Sequence, residues 1–159
     1  MRDGAVLKAA YSGWLSRAST YDVFATLTFK QVLPNVEGGL SRFTDDECGR
    51  TLRLLNDRLS KAVLGRGACR RGERLTFVPF MEGGDIVRRH AHVAIRKPAD
   101  MEFEAFAALF RKIATRLDWV HREIDVRPIA DPGLAASSRV IGYSLKEGVD
   151  AFVPRAAFI

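Results

Sequence analysis

Two runs of this chain carry residues suited to metal and phosphate chemistry. The first is Glu82-Gly83-Gly84-Asp85-Ile86-Val87-Arg88-Arg89-His90-Ala91-His92. It supplies the Glu82 carboxylate and two imidazoles. On a strand, side chains alternate between faces, so His90 and His92 share one face. A hairpin that returns Glu82 beside them, across a tight turn, builds a carboxylate–imidazole–imidazole set for a divalent cation with coordination positions left open. The second run, Tyr143-Ser144-Leu145-Lys146-Glu147-Gly148, follows fifty-one residues after His92. It offers a phenol and an ammonium at i, i+3, on one side of a helix. A tyrosine hydroxyl ionises near pH ~10 and needs help to act as a nucleophile at neutral pH. A metal that polarises phosphorus and a lysine that neutralises charge supply such help.

The elements that position these residues read as follows. Tyr21 to Lys30 is rich in β-branched and aromatic residues and predicts a strand. Gln31 to Phe43, with Pro34, Gly38 and Gly39, reads as a loop. Thr44-Asp45-Asp46-Glu47 is a capping box, and Cys48, Leu52, Leu55, Leu59 and Val63 continue at helical spacing towards a stop near Gly65-Arg66-Gly67. Arg66 to Arg74 reads as a basic loop, either solvated or in contact with phosphate. Leu75 to Met81 predicts a second strand, at an edge or bulge because of Pro79. Glu82 to Asp85 is expected to turn the chain into a third strand from Ile86 to Arg96.

Pro98 stops that strand, and Asp100 is expected to cap a helix. Phe103, Phe106, Ala107, Phe110, Ile113, Ala114 and Leu117 form its wide apolar face. Val120 to Ile129 predicts a fourth strand and Asp131-Pro132-Gly133 a turn. Ser137 or Ser138 is expected to cap a last helix carrying Tyr143 and Lys146. The order β-α-β-β-α-β-α predicts an α/β (α+β) fold, an antiparallel sheet of about four to five strands with helices packed on it. If both amphipathic helices cover one face, the other is left for the site. Residues 1–20, with Trp14 and Leu15, are expected to form a short helix on a core spanning 21–150.

With 159 residues the chain has the length of one domain. Its charge is +6 and its pI is near 9.7, which favours an anionic partner such as nucleic acid. Only six of its 25 cationic side chains are lysines, and arginine forks suit phosphate. No apolar run reaches the roughly 20 residues of a membrane span, and no apolar signal core follows Met1-Arg2-Asp3-Gly4. Cys48 and Cys69 lack metal-type spacing and read as reduced thiols of a cytosolic or nuclear protein.

Taken together, these motifs resemble the HUH endonucleases, in particular the replication-initiator (Rep) nuclease domains of rolling-circle replication. Phe24-Ala25-Thr26-Leu27-Thr28-Phe29 is similar to the family's first-strand motif. His90-Ala91-His92 matches its histidine pair, with Ala91 in place of the usual larger hydrophobic residue. Tyr143-Ser144-Leu145-Lys146-Glu147-Gly148 is similar to the Tyr-x-x-Lys-(Asp/Glu)-Gly motif of single-stranded-DNA virus Reps, and Glu82 falls where that branch places a third ligand.

The resemblance covers roughly residues 23–150. It implies a ferredoxin- or RRM-like fold, with Mn²⁺ or Mg²⁺ held by Glu82, His90 and His92. It further implies metal-dependent nicking and joining of single-stranded DNA at an origin hairpin or nick site. Tyr143 would form a 5′-phosphotyrosine, assisted by Lys146, with Glu147 near the metal shell. Thr26 and Thr28 would face the site or the DNA, and Arg88, Arg89, Arg96 and Lys97 are candidate phosphate contacts.

Reps of this branch usually continue into a helicase domain, and no Gly-x-x-x-x-Gly-Lys-(Ser/Thr) loop is present here. The expectation is a nuclease domain of a longer protein or a compact initiator that borrows a host or separately encoded helicase. It would act in the cytoplasm of a bacterium, or in the nucleus if its source is a eukaryotic virus.

Two other readings stay open. A relaxase or transposase of the same superfamily would use the same chemistry. A small transposase usually has glutamine where Lys146 stands, and the early tyrosines, Tyr11 and Tyr21, sit in no convincing relaxase motif. A non-catalytic module for single-stranded nucleic acid stacks bases on aromatics of its central strands, and Val87 to Ile95 has none. His121 reads as a structural or surface residue.

Overall fold

The computed structural model describes residues 2–18, 20–84, 88–130, 134–145 and 151–159. Along them run α1 (Arg2–Ala18), β1 (Val23–Phe29), β2 (Val32–Pro34), β3 (Leu40–Arg42), α2 (Asp45–Arg70) and β4 (Phe77–Glu82). Next come β5 (His90–Ile95), α3 (Phe103–Ala114), β6 (Val120–Pro128), α4 (Leu134–Ser144) and a 3-10 turn at Pro154–Ala156. The fold is α+β. A four-stranded antiparallel sheet of order β4-β5-β1-β6 carries the helices. Within it, β1-α2-β4-β5-α3-β6 is the ferredoxin-like β-α-β-β-α-β unit, with its first and third strands at the centre.

Alternation in β1 decides which face becomes the core. Val23, Ala25, Leu27 and Phe29 are fully buried, and the residues between them are half-buried. The buried set joins Ala91, Val93 and Ile95 of β5 under α2 and α3. Helix α2 contributes Cys48, Leu52, Leu55 and Leu59, and α3 contributes Phe106, Ala107, Phe110 and Ala114. Each large apolar side chain buried there stabilises the fold by about 1.5–3 kcal/mol. The start of α2 follows its capping box: Thr44 Oγ1 accepts from Glu47 N at 3.2 Å, and three acids in the first turn suit the positive end of the helix dipole.

The opposite face is partly covered, not open as expected. Leu15 of α1 with Ile141 and Leu145, from α4 and its end, packs over Val78, Phe80 and Ala94. Tyr21 locks α1 to the sheet by donating its hydroxyl to Leu15 O at 3.0 Å. Trp14 does not dock with Leu15. It is 49% exposed and lies edge-on to Tyr11.

Several boundaries differ from the sequence expectation. Residues 31–43 contain the β2–β3 hairpin, whose strands are three residues each and mostly exposed. Helix α2 does not stop at Gly65. It breaks there, where Gly65 adopts φ 83°, and continues helically to Arg70. That left-handed conformation suits glycine. Thus Arg66 to Arg70 is helix rather than loop. Glu82 ends β4 instead of starting the turn, and β5 begins at His90. Glu102, not Asp100, sits at the N-cap of α3, and Ser137 and Ser138 lie inside α4. Ile86, Val87 and the expected turn at 131–133 fall outside the described residues.

Strand β4 is an edge, as Pro79 implied, and residues 152–158 line its outer side. Phe77 exchanges both backbone hydrogen bonds with Phe158, and Val153 N donates to Pro79 O at 3.0 Å. An edge paired in this way is withheld from other chains.

Burial raises two acids in these cores. The Cys48 thiol, buried and near Asp45, is pushed up to about 12, and desolvation pushes the Tyr21 phenol up to about 12. Both stay neutral in the folded state while the unfolded chain loses their protons at lower pH. Their contribution is therefore complete below pH ~9 and is lost as pH rises towards ~12. Urea unfolding should show stability falling steadily above pH ~9, with a shallower fall for Cys48→Ala. An identical slope in the variant would remove Cys48 from the account.

Candidate metal centre

Antiparallel register assembles the centre. Glu82 of β4 pairs with His90 of β5, and Phe80 pairs with His92. On the other side of β5, Thr28 and Thr26 of β1 pair with His90 and His92. Directly opposed residues of an antiparallel pair point to the same face. Glu82, His90, His92, Thr26, Thr28 and Phe24 therefore share one face, the face that α1 and α4 only partly cover. Gly83, at φ 88°, turns the chain immediately after Glu82, where a side chain would be strained.

Ligand atoms of Glu82, His90 and His92 all lie within 4.8 Å of one another. Glu82 Oε2 is 3.3 Å from His90 Nε2 and 3.6 Å from His92 Nε2. Donors held ~2.1 Å from one ion, at angles near 90–110°, lie about 3.0–3.4 Å apart. The first separation lies inside that range and the second about 0.2 Å beyond it, so a small side-chain adjustment brings the donor set onto a divalent ion. Glu82 is 5% exposed and His92 7%, while the His90 side chain is 26% exposed. The centre is thus walled on the Glu82 and His92 side and reachable past His90.

Each histidine is held by its other nitrogen. His90 Nδ1 lies 3.2 Å from Arg88 O. A carbonyl can only accept, so Nδ1 carries the proton, and in the neutral ring Nε2 is then the nitrogen that would ligate a metal beside Glu82. His92 Nδ1 lies 3.0 Å from Thr26 Oγ1. With that hydroxyl accepting, His92 adopts the same tautomer. Phe24 stacks on the His92 ring at 5.2 Å between centroids and 17° between planes, which fixes the ring's tilt. Sequence reasoning named Phe24 only as part of the first-strand motif and gave neither it nor the Arg88 carbonyl a role at the centre. Phe24 lies two residues before Thr26 on the same strand face, a spacing that could have flagged it.

Helix α4 brings Tyr143 to the edge of this centre. Ile141 and Leu145 are buried and anchor α4 and its end to the sheet face. Between them Tyr143 is 54% exposed, and its ring meets His92 edge-on at 5.8 Å. Lys146 and Glu147 lie outside the described residues.

The remaining candidates separate. Thr26 supports His92, and Thr28 stands half-buried opposite His90. Arg88 is exposed beside His90. Arg89 is tied to Asp45, with Nη1–Oδ1 at 2.8 Å, which anchors the approach to β5 at the start of α2. Arg96 and Lys97 follow the C-terminal end of β5, at the opposite end of the sheet from Glu82 and His90. His121 lies on β6, where its Nδ1 accepts from Glu123 N at 3.3 Å.

No helix among the described residues is long and apolar enough to cross a membrane. No protein-family model, curated protein or solved structure matches the chain.

If the Thr26 hydroxyl sets the orientation of His92, Thr26→Val should weaken Mn²⁺ binding about 10–100-fold with little change in fold. Calorimetric titration measures this. Unchanged affinity would mean that the Phe24 stack alone holds the ring.

Proposed function

We propose that this protein nicks and rejoins single-stranded DNA by tyrosine transesterification, in the manner of a single-tyrosine replication initiator. The observation that carries the reading is the half-exposed Tyr143 ring against His92, on the rim of the Glu82–His90–His92 centre. A carboxylate and two imidazoles alone suit many divalent-metal proteins. A phenol beside them, on a chain of charge +6, favours phosphodiester chemistry.

Glu82, His90 and His92 would hold Mn²⁺ or Mg²⁺, which when bound draws charge from the scissile phosphate and orients it for in-line attack. The Tyr143 oxygen attacks phosphorus and releases its proton to solvent. The bond from phosphorus to the 3′-oxygen breaks, and that oxygen takes up a proton. A 5′-phosphotyrosine and a free 3′-hydroxyl result. Because a phosphoester replaces a phosphoester, the reverse attack by a 3′-hydroxyl rejoins the strand and no nucleotide cofactor is consumed. By the family resemblance, Lys146 would stabilise charge on the transferring phosphate and Glu147 would assist the metal. Thr28 and Arg88, on the open side by His90, contact the strand. In the biological role proposed, the free 3′-hydroxyl primes rolling-circle replication of a plasmid, phage or virus-like element, with unwinding left to a helicase.

The test incubates the protein with a randomised pool of single-stranded DNA and Mn²⁺, followed by denaturing electrophoresis. The expected product is a protein–DNA band that EDTA prevents and that Tyr143→Phe reduces by at least about a thousandfold with DNA binding retained. Binding without any adduct would contradict the reading and favour a non-catalytic single-strand module. Adduct persisting in Tyr143→Phe would move the nucleophile to another residue.

A further inference from the structure

The helix that carries Tyr143 rests chiefly on another helix. α4 packs along α1, with a smaller contact on β5. Leu15 of α1, Ile141 of α4 and Leu145 just beyond it are fully buried in one cluster, with Tyr11 and Val140 packed at its margin. α1 precedes the β-α-β-β-α-β unit and is no part of it. The place of the Tyr143 phenol therefore depends on how α1 is fixed to the sheet.

A buried hydrogen bond fixes its last turn. Tyr21 is fully buried, and its hydroxyl donates to Leu15 O at 3.0 Å. The next residue, Asp22, is pinned to the sheet on both sides of β1. Asp22 N donates to Ile95 O at 3.1 Å, and Ile129 N donates to Asp22 O at 2.9 Å. Lys97 N adds a bond to Asp22 Oδ1 at 2.8 Å. Tyr21 thus stands on a rigid base, and its hydroxyl passes that rigidity to the Leu15 carbonyl. Leu15 is gripped through its backbone by Tyr21 and through its side chain by the α4 contact. Sliding of α1 would strand a buried hydroxyl without its acceptor, which is costly.

The phenol and the metal centre belong to different layers. His92 is oriented within the sheet by Thr26 and Phe24. Tyr143 belongs to the α1–α4 layer above it, and the two rings meet edge-on at 5.8 Å. The spacing between these layers is the spacing between nucleophile and metal.

We propose that Tyr21 is a positioning residue for Tyr143: through Leu15 and α4, its hydroxyl sets the distance of the phenol from the Glu82–His90–His92 centre. The consequence for rate rests on the nuclease reading, whereas the geometry rests on packing alone. An attacking oxygen must come within about 3–3.5 Å of phosphorus, and an error of ~1 Å costs about a hundredfold in rate. Tyr21, an early tyrosine that fits no relaxase motif, takes a mechanical role in place of a chemical one.

The test compares the whole chain with Tyr21→Phe, which keeps the ring and removes the bond. Two readouts are taken: the nuclear Overhauser contact between the Tyr143 and His92 rings in metal-free protein, and the single-turnover rate of adduct formation with Mn²⁺ and single-stranded DNA. Tyr21→Phe should weaken the ring contact severalfold and slow the adduct about 10–100-fold, with Mn²⁺ and DNA affinities unchanged. Ser60→Ala is the control. Ser60 Oγ donates to Asn56 Oδ1 at 2.9 Å and accepts from Leu75 N at 3.0 Å, on the α2 side of the sheet. Its loss costs stability of the same order and should leave contact and rate as they are. A ring contact intact in Tyr21→Phe, or weakened equally in Ser60→Ala, would overturn the proposal. So would a weakened contact with the adduct rate unchanged. If the unaltered protein forms no adduct but Tyr21→Phe alone loses the ring contact, the nuclease reading fails and the positioning of Tyr143 by Tyr21 is upheld.

Discussion

The pairing register of β5 between β4 and β1 is the constraint on which the centre depends. Glu82 stands opposite His90, and Thr26 stands opposite His92. A strand's side chains alternate, so a slip of one residue would turn both imidazoles into the α2–α3 core. That slip is opposed by Ala91, Val93 and Ile95, which must enter the core on the other face. The apolar half of β5 therefore enforces the position of its chemical half. The same register brings Thr26 Oγ1 to His92 Nδ1 and Phe24 to the His92 ring. Packing energy on one face thus becomes ligand orientation on the other.

The two faces of the sheet are covered unequally, and this decides where chemistry can occur. Helices α2 and α3 close one face completely around Phe106, Phe110 and the leucines of α2. On the other face, α1 and α4 cover Val78, Phe80 and Ala94 and leave the Glu82–His90 end reachable. The centre lies where this cover ends. A buried carboxylate and a buried imidazole gain strength from low local dielectric, while His90 and Tyr143 keep contact with solvent.

Much of this was legible from residue types. The β1 alternation, the Thr44 capping box and the α3 stripe from Phe103 to Leu117 each report a local preference that tertiary packing reinforces. What escaped was either weakly patterned or long-range. The β2–β3 hairpin buries almost nothing, so it leaves no alternation to read. Arg66 to Arg70 is too short to show an apolar stripe, and Gly65 looks like a stop although it is a break inside a helix. Glu82 beside two glycines reads as turn, yet its pairing with His90 draws it into the strand. The tie between Arg89 and Asp45 spans 44 residues, and no spacing rule could anticipate it. The Glu82–His90–His92 set was visible as spacing; the supporting contacts of Phe24, Thr26 and the Arg88 carbonyl required the register.

The donor set, the tautomers and the phenol form one chain of dependence, and the metal is its first link. The most direct test is a crystal of the protein soaked in Mn²⁺, with anomalous diffraction recorded near the manganese edge. One strong peak bounded by Glu82 Oε, His90 Nε2 and His92 Nε2, with coordination positions open towards Tyr143, is the predicted result. No peak there, with the three side chains well ordered, would contradict the central claim. Glu82 and the two histidines would then be a buried polar cluster, and the catalytic reading built on them would fall.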